Sequence, residues 1–153
     1  MKYILRFATI LILTLFFSCK TSKPSITPPL AVSERFKAKY PDVLKVVWAN
    51  EDSSKLEANF NLNGKETAAI FDVTGQWVLT EIKITQSELP ATVNRTLVDG
   101  FAEYRILTIE KIESSKNGNY FRFKMSDRGD IKFMNLSYSG VVMDEEQAEE
   151  DED

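Results

Sequence analysis

The sequence predicts an α+β fold of two tandem repeats, each one helix followed by an antiparallel β-meander of three to four strands. Three observations predict it. Two segments, AVSERFKAKYPD and SELPATVNRTLVDG, place apolar residues every four positions, which is the spacing of one helical face. Each is followed by stretches that alternate apolar and polar residues, the period of a half-buried strand. The stretches are joined by short turns, which suit antiparallel neighbours and exclude the long crossovers of parallel strands.

The first repeat spans residues 30–85. Val32, Phe36 and Tyr40 share one helical face, and Pro41 stops the helix. A strand is expected through Leu44, Val46 and Trp48, and a second through LEANFNL, where Leu56, Ala58, Phe60 and Leu62 face one way. Asn63-Gly64 suits a type I′ hairpin, because both residues tolerate positive φ. The return strand carries Ala68 to Phe71, Asp72–Gly75 makes a turn, and Gln76 to Ile84 is the last strand.

The second repeat spans residues 86–143 in the same order. Ser87 is the expected cap of a helix carrying Leu89, Val93, Leu97 and Phe101, with Pro90 in its first turn and Gly100 at its end. Strands are expected at Tyr104–Ser114, Tyr120–Ser126 and Asp130–Tyr138, with turns at Asn117-Gly118 and Arg128-Gly129. Gly140 stands where Gly75 stands in the first repeat, and Val141 to Met143 begin a final strand. A unit of this size has a marginal core alone, so the two are expected to share a sheet or pack their helices together.

The flanks read as address and tail. Lys2 and Arg6 precede the eleven-residue apolar run Phe7 to Phe17, so residues 1–18 read as a signal peptide too short to span a bilayer. Ser18-Cys19 then resembles a bacterial lipoprotein signal, which implies cleavage before Cys19 and lipid attachment there. Pro24, Pro28 and Pro29 make residues 19–29 a semi-extended linker. The last ten residues hold eight acids and no Lys or Arg, so 144–153 reads as a disordered acidic tail. Without that tail the formal charge of −4 becomes +4, and without Lys2 and Arg6 as well it is +2. The body is nearly balanced and carries no basic stripe for nucleic acid.

The ordered pattern AVSERFKAKYPD, VVWANED, LEANFNLNGKE, FDVTGQWV and ELPATVNRTL resembles the PepSY-like, beta-lactamase-inhibitor-like family of bacterial envelope proteins. Its marks fall at Tyr40-Pro41, Trp48, Gly64-Lys65, Asp72–Gly75, Trp77 and Leu89-Pro90. The second repeat departs from them, with Gly100-Phe101 in place of Tyr-Pro and no tryptophan in its first strand. The resemblance implies helix-and-sheet repeats in the periplasm or at the outer membrane, and a binding module; that the chain is not an enzyme is expected from the chemistry it lacks.

The composition narrows the chemistry. With no histidine, the Ser-His-Asp and Cys-His arrangements and histidine metal sites are excluded. No phosphate-binding loop is present, and neither a metal nor a cofactor is expected. Ser53 or Ser54 beside Lys55 has no motif of a Ser-Lys dyad around it. Paired carboxylates among Glu57, Glu66, Asp72 and Glu81 are the one hydrolytic arrangement left open, against a plain reading as solvated sheet face and, for Asp72, turn former. Trp48, Trp77, Tyr120 and Arg122 are the candidate binding face, with core packing as the alternative for the aromatics. Alternation adds that if Phe121 and Phe123 point inward, Tyr120 and Arg122 point out. The expected partner is a protein, with membrane contact through the Cys19 lipid only.

Overall fold

The computed structural model describes residues 25–143. The signal peptide, Cys19 and the acidic tail lie outside the described residues. Helix α1 (Leu30–Lys39) precedes strands β1 (Val46–Asn50), β2 (Lys55–Leu62), β3 (Lys65–Asp72) and β4 (Trp77–Ile84). A 3₁₀ turn (Gln86–Glu88) leads to helix α2 (Ala91–Gly100), then β5 (Arg105–Ser114), β6 (Gly118–Asp127), β7 (Asp130–Ser137) and β8 (Val142–Met143). The eight strands form one antiparallel sheet in chain order, so the fold is α+β.

Both helices lie on one face of that sheet, and the register shows it. Cross-strand partners share a face, and Ala58, Ala69, Thr80 and Glu113 are successive partners from β2 to β5. Ile109, two pleats along from Glu113, pairs with Phe123, which pairs with Met134. On this face Val32, Phe36 and Tyr40 pack against Trp48, Leu56, Ala58, Phe60, Ala69 and Phe71. Val93 and Leu97 pack against Ile109, Phe121, Phe123, Met134 and Leu136. Phe36 sits at the centre of its cluster, with ring centroids 5.3 Å from Trp48 and 5.2 Å from Phe60, both edge-on. Burying such a ring stabilises by about 2–3 kcal/mol.

Each helix is also held from the turn between two strands. Gly75, with φ +96°, lies where a Cβ would come within 3.0 Å of the Ala31 carbonyl oxygen. Gly140, with φ +83°, lies where a Cβ would come within 2.9 Å of the Thr92 carbonyl oxygen. Ala31 and Thr92 are each the second residue of a ten-residue helix.

Several expectations are corrected. Leu44 is not on a strand. It is 94% exposed in the segment after Pro41, and β1 begins only at Val46. Ser87 does not cap α2 but lies in the 3₁₀ turn, where Glu88 Oε2 accepts hydrogen bonds from the backbone N–H and hydroxyl of Thr85. Pro90 forces Leu89 into an extended conformation, φ −73° and ψ 145°, which separates that turn from the helix. Phe101 follows the helix, its N–H bonded to the Leu97 carbonyl, and packs half-buried beneath it. The stretch just before α1 also meets the sheet. Ile26 donates to the Trp48 carbonyl at 3.0 Å, Trp48 N–H donates to Ser25 Oγ at 3.2 Å, and Ile26 packs on the first core cluster.

Candidate binding surface on the open sheet face

The face opposite the helices is built by the other half of each alternation. Asn59, Ala68, Glu81, Ile112, Tyr120 and Ser137 are successive partners across β2 to β7. One pleat to one side lie Glu57, Ile70, Leu79 and Ser114, and one pleat to the other lie Lys83, Glu110, Arg122 and Asn135. Ile70, Leu79, Ile112 and Tyr120 form a small apolar floor across the joint between β4 and β5.

Charged side chains ring that floor. Arg122 Nη1 donates to Glu81 Oε1 at 2.7 Å, with the two side chains only 18% and 23% exposed. Arg122 Nη2 also reaches the Tyr120 hydroxyl at 3.4 Å. Burial pushes the Glu81 carboxyl up from 4.5 to about 7; Arg122 opposes this, and Glu110, Glu57 and Glu51 add to it by repulsion. Beside Arg122, the buried Asn135 Oδ1 has no hydrogen-bond partner among the described residues.

Two adjoining hollows open on this face. One, of about 380 Å³, is lined by Glu57, Asn59, Glu66, Glu81, Lys83 and Glu110 among others. The second, of about 290 Å³, is lined by Glu51, Asp52, Lys55, Glu57, Glu81 and Arg122 with Ile70 and Leu79. Glu57 and Glu81 line both, so the two make one shallow trough with an apolar patch and a mainly acidic rim. Among the described residues no group of three or more acids is placed to hold a metal ion.

The four residues of the candidate face do not come together. Tyr120 and Arg122 are on the open face as alternation requires, but Tyr120 is fully buried and offers a partner no surface of its own. Trp48 is 5% exposed beneath α1 and belongs to the core, because its register partner Ala58 faces the helix. Trp77 is half-buried on the helix side, donating Nε1–H to Thr80 Oγ1 at 2.9 Å while Lys39 Nζ lies 3.7 Å from its ring centroid. Only Arg122 both lines the trough and keeps some exposure. Of the carboxylates, Glu57, Glu66 and Glu81 share the trough, and Asp72 does not. Asp72 Oδ1 accepts from Thr74 and Gln76 N–H at 2.8 and 2.9 Å and so forms its turn. Glu51 and Glu110 were not singled out from sequence. The signal was present for Glu110, which alternates with the core residue Ile109 along β5.

No helix among the described residues is long and apolar enough to cross a membrane. The curated proteins contain no match to this chain. Among solved structures, a DUF2874 family protein from Bacteroides ovatus is 27% identical with a TM-score of 0.73, covering 78% of this chain and 87% of that one. A "putative periplasmic" protein from Bacteroides eggerthii is 19% identical, with a TM-score of 0.71 over 78% of this chain and 88% of that one. A BLIP-like protein from Bacteroides fragilis is 18% identical, with a TM-score of 0.70 over 78% of this chain and 85% of that one. The last two likenesses are of fold alone. The family model described as "Putative beta-lactamase-inhibitor-like, PepSY-like" matches residues 54–137, more than half of the chain. The chain belongs to the PepSY-like, beta-lactamase-inhibitor-like family.

Proposed function

We propose that this chain is a non-enzymatic envelope module, lipid-anchored at Cys19, that holds a protein partner in the trough of its open sheet face. The observation that carries the reading is the trough itself. An apolar floor of Ile70 and Leu79, a partly exposed Glu81–Arg122 pair and a rim of acids give a partner both contact area and orientation. The acidic excess favours a partner surface rich in Lys and Arg. The family's inhibitor-like name and the description of a fold relative as periplasmic support the same address and class.

The same reading takes the chain as two repeats, 30–85 and 86–143, behind a signal peptide and linker and before an acidic tail. Its support is the recurrence of a ten-residue helix preceded by proline, then four strands, with a glycine of positive φ against the helix start.

The test is crosslinking and affinity capture from intact envelopes with Glu57→Lys and Glu110→Lys together. These residues are only partly buried, so the melting temperature is expected to stay within a few degrees while the captured protein is lost. Capture of the same protein by both forms would remove the trough from the reading.

A further inference from the structure

We propose that the α1 side of the molecule rests on the surface of an anionic phospholipid bilayer, which turns the acidic trough away from the membrane. The inference rests on the lipid-anchor reading of Cys19 and adds an orientation to it.

The reach of the chain is the first argument. Ser25 and Ile26 are pinned to the edge of β1 by hydrogen bonds with Trp48. Only five residues, Lys20 to Pro24, separate them from Cys19. Fully extended, that length spans at most about 20 Å. A lipid at Cys19 therefore keeps the β1 edge, and α1 which follows the strap directly, close to the headgroups.

Charge is the second argument. Helix α1 and the segment after it expose Arg35, Lys37, Lys39 and Lys45 against Glu34 and Asp42. Juxtamembrane basic residues are drawn to anionic leaflets, each raising partition about five-fold. Leu44 stands 94% exposed beside Lys45, and Leu30, which opens α1, is 73% exposed. An apolar side chain among cations is the composition of a surface that settles into the headgroup boundary.

The opposite face supplies the third argument. Both helices cover one side of the sheet, and the trough with Glu51, Glu57, Glu66 and Glu110 lies on the other. An anionic leaflet attracts the first side and repels the second. The two arrangements that the lipid alone would allow are thus unequal.

The experiment uses the chain from residue 19 onward with Cys19→Ser, so that no acyl group contributes. It is sedimented with phosphatidylcholine vesicles, with and without phosphatidylglycerol. Retention is expected only with phosphatidylglycerol and is expected to fall as salt is added. Arg35→Gln, Lys37→Gln and Lys45→Gln together should lower it on the order of a hundred-fold. These side chains are exposed, and Lys39 is kept because it stacks on Trp77. Glu57→Gln with Glu110→Gln should bind as the parent does. Absence of retention, equal retention by the triple variant, or a comparable loss in the trough variant would each overturn the orientation. Mass spectrometry of the mature N-terminus from envelopes reads the anchor separately, so failure of one is distinguishable from failure of the other.

Discussion

Glu81 shows how position converts an ordinary acid into a titrating group near neutral pH. On the open face it is hemmed by Ile112, by Arg122 and by three other carboxylates, and its pKa rises to about 7. An unfolded chain ionises this group near 4.5. Below that pH both states are protonated, and the group imposes no penalty on folding. As pH climbs from about 4.5 to about 7 the unfolded chain loses its proton first, so stability falls, by at most about 3 kcal/mol. Glu81→Gln should remove this part of the slope while keeping an acceptor for Arg122. Urea midpoints measured from pH 4.5 to pH 8 would check it, and parallel curves for the two proteins would show that Glu81 does not titrate in this window. The shift also bears on the trough, whose acidic rim gains the Glu81 charge only around pH 7.

At the scale of elements, the turns act as clamps on the helices. Neither helix has a side-chain cap, and each starts from a proline. The first turn of each is instead approached by the glycine turn that joins two strands, Gly75 for α1 and Gly140 for α2. A Cβ at Gly140 would meet both the Thr96 hydroxyl at 2.8 Å and the Thr92 carbonyl oxygen at 2.9 Å, and Thr96 Oγ1 donates to the Gly140 carbonyl at 2.8 Å. Gly140→Ala is therefore expected to cost about 2–3 kcal/mol, from strained backbone and a displaced helix together. Gly129→Ala, with φ +107° but open space around it, should cost only about 1 kcal/mol. Thermal or chemical melts of the two variants make the comparison. Equal losses would mean that the close approach contributes nothing.

At the scale of the molecule, two core clusters are fused by one sheet. The β4–β5 pairing runs from Leu79↔Ser114 to Ile84↔Ile109, and the floor of Ile70, Leu79, Ile112 and Tyr120 crosses the same joint. A joint of six residue pairs is expected to make the two halves unfold together. Both tryptophans, Trp48 and Trp77, lie in the first half, so their fluorescence reports that half while far-ultraviolet circular dichroism reports both. The two probes are expected to give coincident denaturation midpoints. Separated midpoints would show that each half melts alone.

Much of this architecture is legible along the chain, because it is carried by short-range periodicity. Val32, Phe36 and Tyr40 mark α1, LEANFNL marks β2, and Asn63-Gly64 marks a turn in which Asn63 has φ 52° and Gly64 φ 85°. Where reading failed, a local pattern was outvoted by a neighbour. Leu44 extends the alternation of β1, but the chain leaving Pro41 joins the sheet only at Val46, and Ser87 is a sound cap displaced by the extended residue that Pro90 demands. By itself the sequence determined the elements, their order, the absence of imidazole chemistry and the alternation that sets Arg122 opposite to Phe121 and Phe123. Only the tertiary structure decided which side of each strand the helices cover, and hence that Trp48 is core while Glu57, Glu81 and Arg122 line a trough. Alternation sorts residues into two faces with equal authority. The choice between them is made by register across five or six strands, which no local stretch contains.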